Sequence, residues 1–141
     1  MNNFTVYLAG ACKNVPDEGK EWRSEITTKL QAVAAWNDFS VKVINPTDYF
    51  TYSEKKHKTN KQVKEFFMDK ILHCNLVICN CNHTNSSPGT AQEVQFAVDH
   101  LIPVIGYGHE DAYPWIVERD CQVVFNTMTE VVDYIRDYYF I

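Results

Sequence analysis

Three short apolar runs constrain this chain more than any other feature: "FTVYLAG" at 4–10, "NLVICNC" at 75–81 and "IPVIGYG" at 102–108. Each has strand length, is rich in β-formers and lacks the apolar–polar alternation of a half-exposed strand. A strand that is apolar on both faces must be covered on both faces, which is the condition of a strand inside a parallel sheet. Two further runs, "VKVINP" (41–46) and "CQVVFN" (121–126), complete a set of five. Helical patterns separate them. Residues 18–35 carry Trp22, Ile26, Leu30 and Val33 at i, i+4, i+8 and i+11, and 61–73 carry Val63, Phe67 and Ile71 at i, i+4 and i+8. Two more helices are predicted at about 90–100 and at 128–138, a loop at 47–60, and an irregular stretch around "YPWI".

This alternation predicts an α/β fold: a flavodoxin-like, Rossmann-like, doubly wound five-stranded parallel sheet with helices on both faces. With 141 residues and no linker or repeat, the chain is expected to form a single domain over 1–141. Such sheets bind ligands beyond the carboxyl ends of their strands. Those ends are here Gly10, Asn45, Asn80 and Tyr107 onward.

Composition narrows the partners. A formal charge of −5 argues against nucleic acid as a partner. No apolar run is long enough to span a bilayer and no signal peptide is visible, so a soluble, cytoplasmic protein without membrane contact is expected. Five cysteines, an odd number, suggest free thiols in a reducing compartment. Cys79 and Cys81 share a strand face near His73 and His83, but the paired spacings of zinc sites are missing and no metal is expected. Neither a P-loop nor a G-x-G-x-x-G occurs, and no cofactor is expected.

The chemistry concentrates in "SSPGTAQEVQFA" (86–97), which follows the central strand. Gly89 with Ser86, Ser87 and Thr90 offers hydroxyls and unobstructed amides at a helix start, where anions bind. Glu93 has two readings here. Thr90 to Glu93 spells T-x-x-E, a capping box in which the glutamate merely satisfies the helix end; alternatively Ser87 is the cap with Pro88 in the first helical position. Otherwise Glu93 is a reacting carboxylate on the ligand rim, favoured as an anion by about 0.3–1 kcal/mol from the nearby helix N-terminus. Tyr7, near the end of the first strand and next to the third, is placed to orient it by a hydrogen bond. Periodicity assigns Asp69 to a solvated helix face, opposite Val63, Phe67 and Ile71. It also makes Trp22 core and Arg23 surface. The basic stretch Lys55, Lys56, His57, Lys58, Lys61 and Lys64 reads as a solvated loop and helix start, or as an attractor for an anionic nucleotide.

Taken in order, "VYLAG", "EWR", "INPTDYF", "FFMDKILHCNLVICN" and "SSPGTAQEVQFA…IPVIGYG…YPWI" resemble the nucleoside 2-deoxyribosyltransferase-like family over nearly the whole chain. The resemblance implies an enzyme that cleaves the N-glycosidic bond of a nucleoside or nucleotide, by transfer or by hydrolysis. It implies Glu93 as nucleophile, Tyr7 as the group that positions it, and Asp69 as a member of the catalytic group. It also places Gly10, Trp22 and Asp48 near the substrate, and implies a homodimer or larger assembly whose sites a neighbouring subunit completes. Two positions depart from the transferases resembled. An acidic residue that they carry six positions before the glutamate is Ser87 here, and no asparagine to be lent to a neighbour is evident in "HEDAYPWIVERD". Serines in this loop suit the 5′-phosphate held by related N-hydrolases.

Overall fold

Along the first strand, β1 (Asn2–Gly10), successive side chains enter two different cores. Val6 and Leu8 join one cluster with Ile26, Leu30, Ile78, Ile105 and Ile135, while Tyr7 and Ala9 join another with Phe67, Ile71, Val77, Cys79 and Val94. A computed structural model of the chain describes residues 2–13, 15–49 and 59–141. The basic residues Lys55 to Lys58 and most of the loop expected at 47–60 lie outside them.

The other elements follow as α1 (Lys20–Trp36), β2 (Phe39–Ile44), α2 (Asn60–Leu72), β3 (Leu76–Asn80), α3 (Pro88–Asp99), β4 (Val104–Tyr107), β5 (Val123–Phe125) and α4 (Met128–Tyr138). The five strands are all parallel in the order β2-β1-β3-β4-β5, the flavodoxin-like arrangement. Cores α1/α4 and α2/α3 cover opposite faces. The central strands are therefore mostly buried, β4 throughout, whereas the edge strands β2 and β5 are mostly half-buried. That is why β2 and β5 carry Lys42, Ser40 and Gln122 in or beside their runs and read less clearly in sequence.

Two local departures have clear causes. The stretch around "YPWI" is helical: Pro114 opens a turn that continues as a π-helical turn over Ile116–Asp120, closed by Cys121 N–H donating to the Ile116 carbonyl at 2.9 Å. Fully buried Ile116 anchors it in the α2/α3 core, while Trp115 is 58% exposed. The helix expected from about residue 90 begins at Pro88, which moves its first turn by two residues.

The order of strands reverses between β1 and β3, so the switch-point crevice opens beyond Gly10 and Asn80, which are register partners. Among the described residues no helix is long and apolar enough to cross a membrane.

Candidate active site

Glu93 does not cap its helix. It is the sixth residue of α3, in the second turn, and Thr90 is the third residue rather than the cap. The capping-box reading of Thr90 and Glu93 is thus overturned. The alternative holds in position: Ser87 is the N-cap and Pro88 the first helical residue, although Ser87 makes no side-chain cap hydrogen bond and its Oγ lies 2.6 Å from Thr90 Oγ1. Pro88 sets the start because its fixed φ suits the first helical position.

From the second turn the Glu93 side chain reaches β1, where Tyr7 Oη donates a hydrogen bond to its Oε2. Tyr7 is fully buried, with its ring packed edge-on to Phe67 at 6.5 Å. Burial and the Glu93 charge raise the Tyr7 hydroxyl well above its ordinary range, so it stays a neutral donor. Burial also raises the Glu93 carboxyl to about 7, against the lowering effects of the Tyr7 hydrogen bond and the Arg23 charge. The expected help from the helix N-terminus is corrected accordingly: it fades within the first turn, and desolvation outweighs it.

The loop that delivers α3 is pinned from the side. His83 N–H donates to the Glu110 carbonyl at 2.8 Å, and Asn85 N–H to that of Asp111 at 3.0 Å. The buried Thr84 hydroxyl donates to the Cys81 carbonyl at 2.6 Å and accepts from Tyr113 N–H at 3.0 Å. These bonds fix the start of α3 relative to β3 and β4. Gly89 is exposed with open space about it, and Ser86 is exposed; Ser87 is half-buried and Thr90 is 2% exposed.

At the switch point a crevice of about 310 Å³ is lined by Ala11, Asp17, Trp22, Asn80, Asn82 and His83, among others. Trp22 presses on the strand end: a Cβ on Gly10 would meet Trp22 Cζ2 at 2.7 Å, so this position requires glycine. Asp48 lies apart from Trp22, on a second crevice of about 440 Å³ between α1 and the end of β2. Asp69 sits on α2. Its side chain is 63% exposed and its carboxylate lies 3.6 Å from His73, one turn on. The structure thus brings Tyr7 and Glu93 into contact, sets Trp22 on the switch-point crevice and against Gly10, and leaves Asp69 on an exposed helix face; neither Tyr7 nor Glu93 lines that crevice.

Arg23 corrects the sequence reading most sharply. Expected at the surface, it is 1% exposed. Its Nη1 donates to the Gly19 carbonyl and its Nη2 to the Gly10 carbonyl, each at 3.0 Å, and its guanidinium lies 4.7 Å from the Trp22 ring centroid. The missed signal was periodic: Arg23 stands three residues before Ile26 and seven before Leu30, on the buried stripe itself.

All five cysteines are free, and Cys79 and Cys81 are buried on the α2/α3 face. No group of three or more potential metal ligands occurs among the described residues.

A doubly wound α/β domain with a tyrosine-held carboxylate on the helix that follows its central strand defines the class. The sequence pattern of the family described as nucleoside 2-deoxyribosyltransferase matches residues 6–128. The chain belongs to that family. Its fold is shared with a 2-deoxyribosyltransferase from Bacillus psychrosaccharolyticus, 17% identical, with 92% of this chain and 91% of that one covered at a TM-score of 0.70. A 2-desoxiribosyltransferase from Leishmania mexicana is 18% identical, covering 96% and 99%, with a TM-score of 0.69. A CMP N-glycosidase from Clostridium botulinum is 19% identical, covering 95% and 99%, with a TM-score of 0.54. No curated protein matches the chain by sequence.

Proposed function

We propose that the protein cleaves the N-glycosidic bond of a nucleoside or of its 5′-monophosphate, with Glu93 as nucleophile. The observation that carries this reading is the Tyr7–Glu93 contact between β1 and α3, since a carboxylate with no capping duty is held there by a neutral donor. Family membership and the relatives named as deoxyribosyltransferases and a CMP N-glycosidase support the same reaction class.

Ionised Glu93 attacks C1′ of the sugar through an oxocarbenium-like transition state, and the C1′–N bond breaks as the C1′–O bond forms. Tyr7 donates to one carboxylate oxygen and leaves the other to react. The half-buried anion is poorly solvated, and ester formation removes its charge. The departing base takes a proton from Asp69 or from a bound water. Water, or a second base, then attacks C1′ from the opposite side, which restores Glu93 and retains configuration. We assign Gly10 and Trp22 to the substrate crevice, Ser86, Ser87, Gly89 and Thr90 to the 5′ end of the substrate, and Asp48 to base contact from the rim. The assembly is proposed to be a homodimer or larger.

The test is covalent trapping. Incubation with a 2-fluorinated nucleoside is expected to add one fluorosugar to the intact mass, on Glu93, with no adduct in Glu93→Gln. The rival reading, a nucleotide-binding module without turnover, predicts binding with no adduct and no base released.

A further inference from the structure

Arg23 is a buried cation without an ion pair among the described residues, and its Nε has no hydrogen-bond partner. An unpaired buried charge is costly, and it persists only where its surroundings hold it. Here they hold it from two sides. The fork of Nη1 and Nη2 grips the Gly19 and Gly10 carbonyls, which are the two ends of the loop joining β1 to α1. The backbone is shaped to admit it: Gly19 has φ +75°, and a Cβ there would meet Arg23 Nη1 at 2.3 Å. That same loop supplies Ala11 and Asp17 to the switch-point crevice, with Trp22 stacked on the guanidinium as its wall.

Glu93, half-buried, likewise has no ion pair among the described residues. The groups that face it are Tyr7 from β1, Cys12 from the loop, Arg23 from α1 and Cys79 from β3, while the neighbour of Tyr7 on α2 is the non-titrating Phe67. Arginine is protonated at every working pH, so of these groups it alone brings a fixed positive charge.

We propose that Arg23 is a positioning residue for this site: its fork on the Gly10 and Gly19 carbonyls closes the β1–α1 loop against the crevice. The loop geometry carries the proposal; a charge relation to Glu93 accompanies it, and its use in the reaction rests on Glu93 as the nucleophile. The lowering effect of Arg23 on the Glu93 carboxyl has the sign this requires.

The experiment is a carboxyl titration by ¹³C NMR on ligand-free protein labelled with [¹³C]glutamate, the Glu93 resonance being assigned by its loss in Glu93→Gln. Replacing Arg23 by Gln is expected to raise the Glu93 midpoint by about one pH unit, a tenfold change in ionisation constant. Arg23→Lys keeps the charge but loses the fork. It is expected to hold the midpoint within about 0.3 unit while raising KM for base release several-fold and speeding amide exchange at Cys12 and Glu18. An unchanged midpoint in folded Arg23→Gln overturns the electrostatic role, as does a midpoint in Arg23→Lys displaced as far as in the Gln variant. Should Arg23→Gln fail to fold, Arg23→Lys decides: wild-type KM and exchange there overturn the positioning role. The titration needs no turnover. A midpoint that responds to Arg23 in a protein that forms no glycosyl adduct upholds the charge relation and sinks the nucleophile reading alone.

Discussion

Tyr7 and Glu93, 86 residues apart, meet in one hydrogen bond between the middle of β1 and the second turn of α3. The contact removes the Tyr7 hydroxyl from the ranks of orphaned buried polar groups. It also gives Glu93 a partner that never carries a positive charge, so its carboxyl remains free to titrate near neutrality.

Glu93→Gln is expected to abolish base release and to leave the fold intact. Its stability effect has a definite sign. The folded-state value is raised to about 7 from an ordinary 4.5, so the folded state binds the extra proton between these limits and loses stability as pH rises through them. A neutral glutamine escapes that loss, which amounts to at most about 3.5 kcal/mol at about 1.4 kcal/mol per unit. Thermal melts should therefore show the Gln variant more stable than wild type at pH 8 and little changed at pH 4. Wild-type turnover by this variant would refute the nucleophile assignment.

Tyr7→Phe removes the donor and leaves the carboxylate less well solvated. Base release should fall about 10- to 100-fold, for a lost hydrogen bond to a charged group of about 1.5–3 kcal/mol. Because the Tyr7 bond lowers the Glu93 value, the acid limb of the kcat/KM profile should move to higher pH. A profile that keeps its wild-type limb would show that Tyr7 serves packing only.

Asp69→Asn separates protonation of the base from attack on the sugar. Its exposed position predicts a stability change within about 0.5 kcal/mol. Release of a natural base should slow, while a substrate whose leaving group needs no proton should react at the wild-type rate. Equal rates on both substrates would assign protonation to water.

A nucleoside 5′-monophosphate is expected to bind at least tenfold more tightly than the matching nucleoside, since two charge-assisted hydrogen bonds contribute about 1.5–3 kcal/mol each. The open space about Gly89 admits a phosphate at the start of α3. Replacing Ser86 and Ser87 by alanine should weaken the nucleotide and spare the nucleoside, as read by calorimetry. Equal affinities in wild type would favour a deoxyribosyltransferase acting on nucleosides.

Trp115, 58% exposed and stacked on Tyr113 at 6.3 Å, gives the helical "YPWI" segment a large aromatic surface. Light scattering is expected to show a dimer or larger assembly at micromolar concentration, and a monomer there would eliminate any site shared between subunits.

The sheet was legible in sequence because strands covered on both faces are apolar along their buried length, as Val6–Ala9 of β1, Leu76–Cys79 of β3 and β4 are. The stripes of α1 and α2 were legible for a similar reason: Ile26, Leu30, Phe67 and Ile71 are buried as their spacing requires. The site was legible only in part. Among the described residues T-x-x-E occurs twice, at Thr127–Glu130 and at Thr90–Glu93. At the first, Glu130 accepts from Thr127 N–H at 3.1 Å and Thr127 Oγ1 accepts from Glu130 N–H at 3.2 Å, a complete capping box. At the second, Pro88 starts the helix two residues earlier, and the same spacing places Glu93 a turn inside, against Tyr7. Local sequence cannot separate these cases, because a cap depends on where the helix begins, and that start is held by bonds from Thr84, His83 and Asn85 to a segment more than twenty residues away. Arg23 shows the same division. Its place on the buried stripe was written in the spacing of α1, but what makes burial of a charge tolerable, the carbonyls of Gly10 and Gly19, exists only once β1 and α1 have packed together.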